Sequence, residues 1–309
     1  MNDRAEVPRG RGLRHRGESG SDARRDAAAT APSGPIVAPP SPEPGPVNER
    51  WRALLAEGGP ILADGAMGTM LFGAGLQFGD PPEAWNVSNS EVVRRIHRGY
   101  LDAGSRIVMT NTFGGNRLRL RLHGLDPRVT ELNRTAAILV RAEVDAAGGN
   151  ALVAGGVDLI WIETMSHLSE IGAAIRGVRR ASAGIPIIAT MTFDTRGFTM
   201  MGVSPEQAAR SLIEAGADAI GGNCGNGPDE LLPVIAKMHA VAPDAILVAK
   251  SNAGMPELID MRAVYRADPS TMAEAGLGFR AAGAWIIGAC CGSTPAHLAA
   301  MAEALGVDR

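Results

Sequence analysis

From Trp51 onward two patterns alternate along the chain. Short apolar runs rich in β-branched residues end in Gly, Asn, Thr or Cys: ILADGA (61–66), RIVMTNTF (106–113), ALVAG (151–155), VDLIWIET (157–164), PIIATMTF (186–193), DAIGGNC (218–224), ILVAKSN (246–252) and WIIGACC (285–291). Unbroken apolar runs with polar, Gly-rich ends predict parallel strands buried on both faces. Between most of them lie stretches with apolar residues at helical spacing, such as SNSEVVRRIHRGYLDAG (88–104), SPEQAARSLIEAG and STPAHLAAMAEALG. Several open on Ser or Pro and close on Gly, the start and stop chemistry of helices. Eight strands alternating with helices over residues 50–309 predict a (β/α)8 TIM-type barrel.

One step breaks the rhythm. Only about one residue, Gly156, separates ALVAG from VDLIWIET, whereas neighbouring parallel strands need a crossover of a dozen residues or more. The crossover between the third and fourth strands is therefore expected to be missing or shortened.

Residues 1–49 are of another kind. They are rich in Arg, Pro, Gly, Ser and Ala, with few large apolar residues and no periodicity. Such a segment cannot bury enough surface to offset chain entropy, so it is expected to be a disordered tail. It has no apolar core of a secretory signal. The 30 Lys+Arg nearly balance 33 Asp+Glu, which argues against a general nucleic-acid or membrane-surface binder. No apolar run reaches the roughly 18 residues of a membrane span. Three cysteines leave one unpaired in any disulfide scheme, and this points to a reducing, cytoplasmic setting.

All three cysteines fall at strand ends: Cys224 after the sixth strand, Cys290 and Cys291 after the eighth. In a barrel these ends share the face that carries active sites. Three readings compete: buried inert thiols, a vicinal Cys290–Cys291 disulfide, and a metal site. Three thiolates would fill three of zinc's four tetrahedral positions and leave one open, the catalytic pattern. The placement of every cysteine on one rim, in loops where Gly permits close backbone approach, favours the metal.

The motifs DGAMGTML (64–71), TNTFGGN (110–116), VDLIWIETM (157–165), GGNCGNGP (221–228) and GACCGSTP (288–295) together resemble the zinc-dependent homocysteine S-methyltransferase family. The likeness is greatest to the homocysteine module of cobalamin-dependent methionine synthase, and betaine–homocysteine methyltransferases are relatives. It runs from about residue 51 to 309. The resemblance implies a (β/α)8 barrel, Zn2+ on Cys224, Cys290 and Cys291, and methyl transfer to the thiol of homocysteine to give methionine. It also implies that Asp64 and Glu163 hold the substrate's ammonium, and that the Gly65 backbone and Thr110 meet its carboxylate. Acids at strand ends suit a cationic amine. Their plainer roles are a turn cap for Asp64 and a rim ion pair for Glu163.

The expected methyl donor is a methylcorrinoid carried by a protein in trans, or betaine or another onium compound. No corrinoid signature is visible in the sequence, and Gly114 and Thr164 follow Phe113 and Glu163 where betaine-using relatives place Tyr. Trp161 and Phe193 could offer aromatic faces to a cation, though Trp161 sits in an apolar run. The departure from the family is the segment at Gly155–Gly156, where a strand, loop and helix are reduced to about ALVAGG. It motivates the alternative of a catalytically silent or partner-dependent zinc-binding barrel; an oligomer would also fit. A related enzyme using another thiol or selenol acceptor is a further alternative. A zinc hydrolase is disfavoured, because an all-thiolate site is electron-rich and no HExxH motif is present. His97, His167, His239 and His297 lie in helical stretches without ligand spacing. Asn252, on the loop after strand seven, is open between substrate contact and loop cap.

Overall fold

The computed structural model describes residues 46–155, 158–259 and 262–307. The expected tail therefore lies, through residue 45, outside the described residues. The expected eight-strand order is found, with strands β1 (Ile61–Leu62), β2 (Ile107–Met109), β3 (Leu152–Ala154), β4 (Ile160–Met165), β5 (Ile187–Met191), β6 (Ala219–Cys224) and β7 (Leu247–Ser251). A short antiparallel hairpin, β8 (Glu257–Ile259) and β9 (Arg262–Val264), precedes the last strand, β10 (Ala284–Ala289). Six strands form one parallel sheet in the order β1-β10-β7-β6-β5-β4, and β2 and β3 form a parallel pair. Single bridges, Ala63 to Ile107 and Ala154 to Leu159, join the pair to the sheet on either side. The eight strands thus succeed one another in barrel order, but the ladder is not closed: it thins to one bridge at each flank of β2–β3.

The helices are α1 (Pro46–Ala56), α2 (Gly68–Gly73), α3 (Trp85–Ser88), α4 (Ser90–Asp102), α5 (Arg117–Arg121) and α6 (Val129–Ala146), then α7 (Leu168–Ala181), α8 (Pro205–Glu214), α9 (Pro228–Val241), α10 (Pro269–Ala281) and α11 (Pro295–Leu305). Their starts follow the sequence. Ser204 and Gln207 close a capping box on α8, with Pro205 at its first position, and Asp268 caps α10 by accepting from the Thr271 amide. Each such cap satisfies an amide the helix leaves orphaned, a contribution of about 1 kcal/mol.

Two apolar layers hold the fold. Side chains such as Leu71, Ile175, Leu212, Ile235 and Phe279 pack helices onto the outside of the sheet. A second cluster fills the N-terminal end of the ring, where Trp51 and Leu54 of α1 meet Ile61, Ile107, Leu159 and Ile286. Gly221 is obligatory where β6 meets β7, because a Cβ there would lie 2.0 Å from the Val248 carbonyl oxygen.

The expected loss of a crossover is real. Among the described residues between β3 and β4 there is no helix, and Gly155 N donates to Leu159 O at 3.0 Å across the tight return. Charge holds this return in place. Asp158 is 4% exposed, accepts from the Val153 amide at 2.8 Å and pairs with both Arg50 of α1 and Arg141 of α6. Arg50 also donates to the carbonyls of Gly149 and Ala151.

Candidate active site

The C-terminal strand ends bring the three cysteines together. Cys224 closes β6, and Cys290 and Cys291 follow β10, two positions round the ring. Backbone bonds lock the rim: Cys290 N donates to Ser251 O at 2.7 Å and Ala253 N to Cys291 O at 2.9 Å. The three sulfurs lie within 4.8 Å of one another, with Cys224 Sγ 2.9 Å from Cys290 Sγ. All three are free thiols, so the adjacent pair is not a disulfide. Among the described residues this is the one cluster of three Cys, His, Asp or Glu side chains able to hold a metal ion.

The donor set fits a thiophilic divalent cation. Tetrahedral zinc with bonds of about 2.3 Å would hold its sulfurs about 3.8 Å apart, within the observed span. The thiols cannot ionise together without a cation. A hydrogen bond from Cys290 pushes the Cys224 thiol far up, whereas hydrogen bonds from Cys224 and Cys290 pull Cys291 down. Tyr265 also hydrogen-bonds Cys291. Asn252 donates to Gly225 O at 2.6 Å, while its own side-chain oxygen is buried without a partner.

Strain marks the same spot. Cys224 has φ of +59° and Thr164 has φ of +61°. Left-handed backbone is costly for any side chain and most so for a β-branched one. Asn223 holds both residues there: its Oδ1 accepts from the Thr164 amide at 2.8 Å and its Nδ2 donates to Thr164 Oγ1 at 2.7 Å. Thr164 Oγ1 lies 3.8 Å from Cys224 Sγ.

The acids lie beside the thiols. Asp64 follows β1, and its Oδ2 accepts from the Met109 amide at 2.8 Å. Its other oxygen is 2.9 Å from Lys250 Nζ, an ion pair in which both side chains are at most 4% exposed. Burial raises the Asp64 pKa, opposed by the charge of Lys250 and the Met109 bond. Burial works against the Lys250 charge, but Asp64 and Glu163 outweigh it and keep the lysine above its usual value. Glu163, on β4, is pushed up to about 7 by burial, against the pull of Lys250.

Thr110 completes the rim. Its hydroxyl lies 2.7 Å from Thr112 Oγ1 and its amide donates to Ala154 O. Gly155 must be glycine here, because its φ is +126° and a Cβ would fall 2.0 Å from Thr110 Oγ1. A Cβ on Gly65 would strike Tyr100, Ser293 and Leu298, so that backbone is tightly sheathed.

A cavity of about 540 Å3 joins these groups, with Asp64, Gly65, Thr110, Glu163 and all three cysteines in its wall. It continues past Phe72, Glu83 and Phe113. A second cavity of about 370 Å3 shares Thr110, Glu163 and Thr164 with the first, and opens beside Ala154, Gly155 and Trp161, on the flank that lacks a crossover. Asp64, Gly65, Thr110, Glu163 and the three cysteines therefore face one space, while Trp161, Phe193 and Asn252 are not among the residues of its wall. Sequence reasoning placed the Lys250 loop on the active rim and noted Thr164 only for lacking a Tyr, gave neither a role, and missed Asn223; the trace they leave is a polar residue inside or at the end of an otherwise apolar run.

An α/β ring with a cluster of three cysteines at its C-terminal face defines a class of thiolate-site barrels, and comparison with known proteins narrows it. The homocysteine S-methyltransferase family profile matches residues 61–155 and 146–305. The chain belongs to that family. Residues 146–155 are matched twice, as the end of one stretch and the start of the next, which puts the join between the stretches at β3. Methionine synthase of Mycobacterium tuberculosis is 31% identical over 294 residues, covering 79% of this chain and 24% of that protein. The chain thus spans about a quarter of the length of the methionine synthases it matches. Betaine–homocysteine S-methyltransferase 1 of Danio rerio is 30% identical over 280 residues, 74% of this chain and 68% of that protein. The fold is that of the homocysteine methyltransferase MmuM from Escherichia coli in its metallated form, with TM-score 0.70 and 23% identity over 82% of this chain and 98% of that one. No helix among the described residues is long and apolar enough to cross a membrane.

Proposed function

We propose that the protein transfers a methyl group to the thiol of homocysteine, forming methionine, with one zinc ion on Cys224, Cys290 and Cys291. The observation that carries this reading is the convergence of those three sulfurs, from two separate strand ends, on the cavity that also holds Glu163, Asp64 and Thr110. Zinc in that position supplies a thiolate at neutral pH from a substrate thiol whose own pKa is about 8.5. The rest is done by the chain. Asp64 and Glu163 give the substrate's ammonium an acidic surrounding, and Thr110 with the Gly65 backbone receives its carboxylate. This fixes the substrate sulfur at the thiol rim, with its free side toward the donor. Asn223 holds Cys224 and Thr164 in their strained geometry, so that the sulfur cluster is preorganised before substrate arrives. The activated methyl carbon then accepts the sulfur's electron pair as its bond to the donor breaks, and the thioether so formed carries no charge for the thiol rim to hold.

The donor enters by the outer part of the cavity. Phe113 stands there 66% exposed, a face that suits an onium cation or the surface of a methylcorrinoid protein. A second reading, a zinc-binding barrel that needs a partner to turn over, is favoured by one observation: the open flank beside Gly155, where the family's crossover is absent. Zinc-loaded protein is to be assayed with homocysteine against betaine, a sulfonium donor and a methylcorrinoid. Turnover with any of them supports the first reading, and Cys291→Ala is expected to lose both metal and activity. Stoichiometric zinc with no turnover from any donor favours the second.

A further inference from the structure

The buried Lys250 is the cation of this site that the proposed function leaves without a role. It sits on β7, between β6 and β10, with Asn223 and Gly288 beside it in register, and is 1% exposed. Its Nζ lies 2.9 Å from Asp64 Oδ1, 3.9 Å from Met109 Sδ and 5.5 Å from the centre of the Trp161 ring. Asp64 is thereby engaged on both oxygens: the Met109 amide donates to one, and the Lys250 ammonium stands 2.9 Å from the other as its ion-pair partner. Glu163 is in the opposite condition. Its nearest polar contact is the Asn223 amide at 3.5 Å, no ion pair within 4 Å reaches it among the described residues, and it faces both cavities. A half-buried carboxylate without an ion-pair partner has the most to gain from a cation, and one already paired gains little from a second cation placed against the first.

We propose that Lys250 is a positioning residue that withdraws Asp64 from substrate binding and leaves Glu163 as the single carboxylate for the substrate's ammonium. This rests on the homocysteine reading and divides between the two acids a task that reading assigns to both. Lys250 fixes where the amine goes, since an ammonium set against Asp64 would meet the lysine charge. It also offsets one of the negative charges that crowd the thiol rim, without itself touching the reacting atoms.

The test compares two ligands on zinc-loaded protein by calorimetry: homocysteine, and 4-mercaptobutanoate, which is the same thiol acid without the amine. The ratio of their dissociation constants isolates the ammonium contact. Glu163→Gln is expected to reduce that ratio at least tenfold. The double variant Asp64→Asn with Lys250→Met removes both partners of the buried pair together, so neither charge is left stranded, and it is expected to keep the ratio within threefold. Circular dichroism and zinc content establish that each variant is folded and loaded. A double variant that loses the ratio as Glu163→Gln does, or a Glu163→Gln protein that keeps it, overturns the assignment. Wild-type protein that binds 4-mercaptobutanoate as tightly as homocysteine overturns the assignment alone. Binding of neither thiol overturns the homocysteine reading as well.

Discussion

Asp158→Asn is the sharpest probe of the shortened β3–β4 return. Asp158 is 4% exposed and is shared by Arg50 and Arg141, whose side chains are 36% and 24% exposed. Asparagine keeps an acceptor for the Val153 amide but removes the charge that both guanidinium groups share. Breaking a fully buried pair costs about 3–5 kcal/mol. The partial exposure of the arginines lets water and salt recover some of that, so the expected loss is about 2 kcal/mol, which for a domain of this size lowers the melting temperature by roughly 4–8 °C. The exposed Glu57–Arg106 pair, with Glu57 51% exposed, is the control, and Glu57→Gln is expected to cost less than about 0.5 kcal/mol. Urea unfolding measures both, and hydrogen exchange at residues 152–154 reports whether β3 loosens first. An Asp158→Asn protein as stable as Glu57→Gln would refute the idea that charge holds the return.

Gly155→Ala introduces a Cβ into the Thr110 hydroxyl at positive φ. It should cost about 1–3 kcal/mol in unfolding free energy and weaken homocysteine binding by calorimetry, whereas Gly177→Ala, with open space around it, should do neither. Asn223→Ala releases Thr164 and Cys224 from their left-handed geometry, and a chelator competition should show zinc affinity falling about 10–100-fold, as for other groups that orient metal ligands. Glu163 titrates near 7 in the fold and near 4.5 when unfolded. The unfolded state therefore gives up its proton first, and the stability of metal-free protein should fall as pH rises between those values, by on the order of 3 kcal/mol. Glu163→Gln should flatten that slope in a pH series of urea melts.

The parts of this molecule that were legible in its sequence are those governed by short-range pattern. Runs such as IIATM and LVAKS became strands because apolar residues dominate them, and Ser204-Pro205 opened a helix by local capping. The sulfur cluster was legible because its ligands end strands, where barrel geometry brings them to one face. The run at 106–113 reads as a strand to Phe113, yet β2 stops at Met109, because Thr110 to Gly114 leave the strand to line the site. The ion pair of Lys250 with Asp64 joins β7 to the end of β1, and no periodicity in either segment announces it. The strain at Thr164 and Cys224 was equally hidden, since the asparagine that holds Thr164 lies two strands away, beside Cys224 on β6.

X-ray absorption at the zinc edge, on protein reconstituted with one equivalent of zinc, tests the central claim most directly. Three sulfur neighbours at about 2.3 Å, rising to four when homocysteine is added and lost in Cys224→Ala, is the predicted result. A zinc ion bound mainly by nitrogen and oxygen, or one unchanged by Cys224→Ala, would contradict it.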